Sequence, residues 1–317
     1  MKKLSALFLS LILLVGCSTK TETIIATTTP ASSEPTVETT GLNVLAPKGA
    51  TALPLAKVID EQKHTVTTVD GSDVLQAALV NPEPEYDIII APTNLGVKLA
   101  AADKSEYKLI DILTWGNLYL VASDESALQE GKEIALFGEN AVVGLVFEDL
   151  FKDITLNKTY YPSVAEAQVA LLSNNADVAL LAEPAATATI AKAKENGQDL
   201  QIIADLQQLW DEKYGGSYPQ AGIFVLEDTY EDNQAAVDAF IDEVANFVAE
   251  ANENNEMVIE VVDKLGADVL GVPNGNIASK TWNRLNLDVV SALDAKDQLA
   301  TFLKLFGIED LDDALID

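Results

Sequence analysis

The chain has 317 residues, 48% of them hydrophobic, with 50 acidic against 20 basic side chains and a formal charge of −30. A chain of this size and apolarity can bury a substantial core, as one large domain or two lobes, and it lacks the clustered Lys and Arg that a nucleic-acid partner needs. One cysteine, Cys17, and one histidine, His64, leave no intrachain disulfide, no metal site of several Cys and His and no Cys–His catalytic pair.

Lys2 and Lys3 precede a mostly apolar run, Leu4 to Val15. That run is shorter than the ~20 residues that span a bilayer and fits the apolar region of a secretory signal peptide. Leu14-Val15-Gly16-Cys17 resembles a bacterial lipobox. The resemblance implies that residues 1–16 are removed and that Cys17 is lipidated. Two or more acyl chains would hold the protein on the extracytoplasmic face of the cell membrane. Residues 18–40 contain twelve Ser or Thr, with Pro30 and Pro35. Such a segment cannot bury enough surface to fold, so 17–40 reads as a lipidated tether with a reach of roughly 25–30 Å.

From Gly41 onward, apolar runs alternate with helical patterns. Residues 42–47 predict a strand, 51–62 a helix with Thr51 as cap and Pro54 in its first turn, 64–70 a strand, 72–80 a helix, 86–92 a buried strand and 93–102 a helix. Residues 107–123 predict one long extended stretch. The alternation then restarts, with strands at 133–138, 158–162, 177–184 and 200–206 and helices at 141–151, 163–175 and 185–197. After Gly215-Gly216, residues 218–228 are extended again, and the remainder is mostly helical, as at 235–251. Strand–helix alternation predicts parallel sheets covered on both faces. Two such units separated by two extended segments predict two lobes. Residues 41–121 and 222–317 form lobe I and 122–221 form lobe II, with a cleft between them at the carboxyl ends of the strands.

In that order and spacing, "APKGATALPLA" (46–56), "YDIIIAPTNLG" (86–96), "SVAEAQVALLSNNADVALLAEP" (163–184) and "YPQAGIFV" (218–225) resemble the solute-binding proteins of bacterial ABC importers. The similar branch is the one associated with nitrate, sulfonate and thiamine-pyrimidine precursors. The resemblance covers the chain from about residue 42. It implies an α/β, two-lobed type II periplasmic-binding-protein fold, with two doubly wound sheets joined by two crossing strands. It also implies capture of a small solute by hinge closure and delivery to a membrane permease. No cofactor, no metal and no enzymatic activity are implied, and the protein is expected to be a monomer. Matched position by position, the ligand contacts implied are Gly49, Ala50, Thr51, Thr93, Asn94, Trp115, Asn117, Asn140, Ala141, Glu183 and Tyr218.

Residue types narrow the solute. Arg284, the only arginine, lies in the helical C-terminal region and is expected to be remote from every cleft segment, whereas arginine is the side chain suited to bidentate anion binding. A strongly acidic protein also repels anions at long range. Both points favour a neutral or cationic solute. Trp115, Tyr119, Phe137, Trp210, Tyr214 and Tyr218 fall at or beside cleft segments, where a heteroaromatic or cationic solute could stack on them. Tyr160-Tyr161 is similar to a ferric-ion tyrosine pair, but neighbouring strand residues face opposite ways. Two alternatives share the fold. One is an enzyme similar to thiamine-pyrimidine synthases, which use a cysteine-rich motif and a histidine. This chain has no cysteine after Cys17, and His64 opens a strand at the end away from the cleft. The other is a surface adhesin or sensory lipoprotein.

Overall fold

The computed structural model describes residues 41–316. The signal peptide, Cys17 and tether expected over residues 1–40 lie outside the described residues. In chain order, β1 (Asn43–Pro47), α1 (Ala56–Glu61), β2 (Thr65–Val69), α2 (Ser72–Leu79), β3 (Ile88–Pro92), α3 (Thr93–Ala100) and β4 (Tyr107–Thr114) come first. Next are β5 (Leu118–Ala122), β6 (Glu133–Phe137), α4 (Val142–Leu150), β7 (Asn157–Tyr161), α5 (Val164–Leu172), β8 (Val178–Ala182), α6 (Ala185–Glu195), β9 (Gln201–Asp205) and α7 (Leu206–Tyr214). The chain closes with β10 (Ala221–Leu226), α8 (Glu227–Glu253), α9 (Val258–Leu265), α10 (Ala267–Leu270), α11 (Gly275–Thr281), β11 (Leu287–Ser291) and α12 (Lys296–Leu303).

The strands form a six-stranded sheet, β11-β4-β10-β3-β1-β2, and a five-stranded sheet, β7-β6-β8-β5-β9. Strands linked by helices run parallel, as β1 does to β2 and β3, and β6 to β7 and β8. Both sheets are nonetheless mixed rather than wholly parallel: β10 is antiparallel to β3 and β4, and β5 to β8 and β9. In each sheet the strand that follows a crossing, β5 or β10, runs backwards.

Period-2 alternation splits each strand between two cores. Val44, Ala46, Ile88 and Ile90 pack on one face of the first sheet, and Leu45 and Ile89 on the other. In the second sheet Leu118 and Leu120 face one core and Tyr119 and Val121 the other. Both faces are covered, so the central strands read as continuous apolar runs. Each of the fully buried Ile88, Ile89 and Ile90 contributes about 1.5–3 kcal/mol of transfer free energy.

Two sequence expectations change locally. Thr51 does not cap a helix. Its hydroxyl donates to the Pro47 carbonyl at 2.7 Å, and a 3-10 turn at Leu53–Leu55, with Pro54 inside it, leads into α1. The long extended stretch at 107–123 is two strands in different sheets, broken at Gly116. Gly116 has φ +86, and a Cβ there would sit 2.3 Å from the Tyr218 ring. The first crossing therefore turns where only glycine fits, against the second crossing.

Candidate binding cleft

A cavity of about 710 Å³ lies between the carboxyl ends of the two sheets. It is lined from one side by the β1 loop (Lys48 to Thr51), the α2 start (Asp70, Ser72) and the α3 start (Asn94, Leu95). The starts of α4 (Asn140 to Val143), α5 (Val164, Ala165) and α6 (Glu183 to Ala185) line the other. Helix starts converge because each follows a parallel strand and the cavity lies beyond the strand ends.

Of the expected contacts, Gly49, Ala50, Thr51, Asn94, Asn117, Asn140, Ala141 and Glu183 line this cavity. Thr93, Trp115 and Tyr218 do not. Thr93 is buried and its hydroxyl donates to the Pro219 carbonyl at 2.6 Å. Trp115 packs in the core of the first sheet, with its indole N–H on the Asp288 carbonyl at 3.1 Å. The Tyr218 ring is fully buried against Trp210 and Phe302, and its hydroxyl donates to Gln207 Oε1 at 2.6 Å. Burial pushes the Tyr218 phenol far above its ordinary range.

The six aromatic residues expected near the cleft are reduced to Phe137 among the lining residues. Tyr119 turns away and donates its hydroxyl to the Arg284 carbonyl at 2.7 Å. The Trp210 and Tyr214 rings pack on each other at 4.3 Å between centroids, tilted by 42°, in the second sheet's flank. Tyr160 and Tyr161 face different cores, and the Tyr160 hydroxyl donates to Glu148. His64 accepts from the Leu42 backbone N–H at the start of β2, the end of the strand opposite the cavity.

Arg284 corrects another expectation. It is not remote from the cleft. Its Nε donates to Glu183 Oε1 at 2.7 Å, and its Nη2 to Thr187 Oγ1 at 2.6 Å. Thr187 Oγ1 donates to Glu183 Oε1 at 2.8 Å, and Thr187 N to Oε2 at 3.0 Å. Glu183 thus caps the start of α6 with a fully buried carboxylate while Arg284, on the 3-10 turn before β11, reaches it from the first-sheet side. Lys48 pairs with Asp70 at 2.9 Å on the cavity rim. Asn117 is 3% exposed; its Nδ2 donates to the Glu183 carbonyl at 3.1 Å, and its Oδ1 has no partner. Asn94 Oδ1 and Gln220 Oε1 are likewise buried without a partner.

Sequence reasoning missed Gln76, Gln168, Gln220, Gly271 and Pro273, all of which line the cavity. The two helical glutamines sit one turn or so inside α2 and α5, a position that can be read from a helix start. Gly271 and Pro273 belong to a Gly-Val-Pro-Asn-Gly turn, held at the cavity by Gly49 N–H on the Leu270 carbonyl at 2.8 Å. Among the described residues no group of three His, Cys, Asp or Glu is placed to hold a metal ion, and no helix is long and apolar enough to cross a membrane.

No family model and no curated protein matches the chain. Solved structures do. An ABC transporter structure from Parabacteroides distasonis superposes with a TM-score of 0.73 at 21% identity, covering 88% of this chain and 99% of that one. The ligand-binding component of an ABC-type import system from Staphylococcus aureus, solved with zinc bound, gives 0.64 at 11% identity over 87% and 96%. The periplasmic aliphatic sulphonate-binding protein of Escherichia coli gives 0.61 at 16% identity over 88% and 90%. Two mixed sheets, two crossings between them and a cavity at their facing strand ends give this chain the two-lobed periplasmic-binding-protein fold of these transport components.

Proposed function

We propose that the chain is the extracytoplasmic solute-binding component of an ABC importer, lipidated at Cys17 and tethered to the cell membrane by residues 17–40. Lobe I comprises 41–121 with 222–317 and lobe II comprises 122–221, and they enclose a neutral or cationic small solute for delivery to the permease. The observation that carries this reading is the cavity of about 710 Å³ between two sheets joined by two crossings, a size and position suited to a small ligand. The likeness to structures described as ABC import components supports it.

Native mass spectrometry of protein freshly purified from cells should show a bound small molecule, and solution scattering should show a more compact protein with it than without it. A protein that carries no small molecule and does not compact with any solute would refute the reading. For the anchor, Cys17→Ala behind an ordinary cleavable leader should leave the membrane fraction. Sedimentation with membranes in high salt would show that lipidation is not what holds it.

A further inference from the structure

This inference rests on the solute-binding reading and names the chemistry of the solute. The charged side chains at the cavity are already matched within the protein. Lys48 meets Asp70 at 2.9 Å, and the Glu183 carboxylate receives Arg284 and two donors from Thr187. A solute with a net charge would enter a site whose charged side chains are already paired, and would have to be met by uncharged groups alone.

The unmatched groups are uncharged. Asn117 is the decisive one, because its orientation is fixed. Its Nδ2 faces the Glu183 carbonyl at 3.1 Å, and a carbonyl can only accept. The other end of the amide is therefore the oxygen, a buried acceptor without a donor. Asn94 and Gln220 line the same cavity, each with a buried side-chain oxygen lacking a partner. Backbone bonds hold these residues on one floor: Thr93 N–H meets the Gln220 carbonyl at 3.2 Å, and Gln220 N–H meets the Thr114 carbonyl at 2.9 Å. On the second-sheet side, no side chain caps α4, and Val142 and Val143 in its first turn line the cavity. The Ala141 and Gly144 N–H groups meet the Gly138 carbonyl at 3.0 and 3.1 Å, which leaves Val142 and Val143 as the first-turn donors, since the first N–H groups of a helix lack intrahelical acceptors. Acceptors thus stand on the hinge floor and donors on the other wall.

We propose that the cleft takes an uncharged solute that carries N–H donors beside a carbonyl-type acceptor, as a carboxamide or a urea does, with the donor on Asn117 Oδ1 and the acceptor at the start of α4. Asn117 is then the residue that selects donors over anions.

The test uses the full chain purified in detergent and three matched sets of probes. These are small carboxamides and ureas, their fully N-methylated counterparts, and the corresponding carboxylates and sulfonates. Binding is read by thermal shift and calorimetry. Carboxamides or ureas should bind, and methylation of the nitrogen should weaken binding about tenfold or more, the loss expected for one buried hydrogen bond. Asn117→Leu should weaken the N–H-bearing probes by a similar factor and leave the methylated ones unchanged, which a merely structural role would not do. The probe series on the native chain decides the question even if Asn117→Leu fails to fold. A carboxylate or sulfonate that binds more tightly than its amide, or an Asn117→Leu loss that is equal for methylated and unmethylated probes, would overturn the proposal while leaving solute binding intact. A chain that binds no probe and carries no co-purified solute would instead overturn the solute-binding reading on which it rests.

Discussion

Asp111 lies on β4, next to the edge strand β11 of the first sheet, opposite Ile223 and Ser291, and is 8% exposed. Burial, reinforced by repulsion from Asp238 on α8, pushes its carboxyl up to about 6 from 3.8. The folded chain therefore holds this proton at pH values where the unfolded chain has released it. Stability from this group is complete below about pH 4 and falls as pH rises to about 6, because the folded state binds more protons across that window. Asp111→Asn should raise the unfolding free energy at pH 7.5 by about 1–3 kcal/mol and change it little at pH 4; equal effects at both pH values in denaturant titrations would contradict the assignment. The sequence shows an acid inside an apolar run, but not that β10 and β11 flank it on both sides. The same limit applies at the cleft. The loop residues Gly49, Asn94, Asn140 and Glu183 can be read from their places after strands. Thr93, Trp115 and Tyr218 cannot, because a side chain at a helix start or at a crossing can point to cavity or core, and the packing around it decides which.

Among the elements, the alternation of strands and helices is legible because central apolar runs, as at Ile88–Pro92 and Val178–Ala182, each match one strand buried on both faces. The break at Gly116 is hidden, since apolar residues continue on both sides of it in "LIDILTWGNLYLVA". Hidden too is the contact that the turn before β11 makes with α6. Arg284 and Glu183 are separated by 101 positions, with no periodicity to connect them. Arg284→Ala should leave the buried Glu183 carboxylate without its cation and lower stability by about 1–3 kcal/mol, less than a fully enclosed pair because Arg284 is partly exposed. Arg284→Lys should recover little of this, because an ammonium cannot reproduce the fork that reaches Glu183 and Thr187 together. Urea unfolding of the three proteins measures both effects; a stability for Arg284→Ala equal to the parent would show that the pair adds nothing.

For the whole molecule, the acid excess dictates solubility and long-range field rather than fold, and the arrangement of lobes follows from two passages of the chain between sheets. The first turns at Gly116 and the second carries Tyr218 into the space that a side chain at 116 would fill. Asn286 Nδ2 also donates to the Gly116 carbonyl at 2.8 Å, tying the pivot to the segment before β11. The two passages are thus meshed like teeth on one axle. On the proposed solute-binding reading, Gly116→Ala should force Tyr218 aside and shift the balance between open and closed forms, seen as a changed radius of gyration without solute; an unchanged radius would show that the passages move independently. Because neither Gly116 nor Tyr218 lines the cavity, this meshing separates two properties that are often confused. On the proposed solute-binding reading, recognition belongs to the cleft, while a change at Gly116 would act on the two passages without altering a residue that lines the cavity.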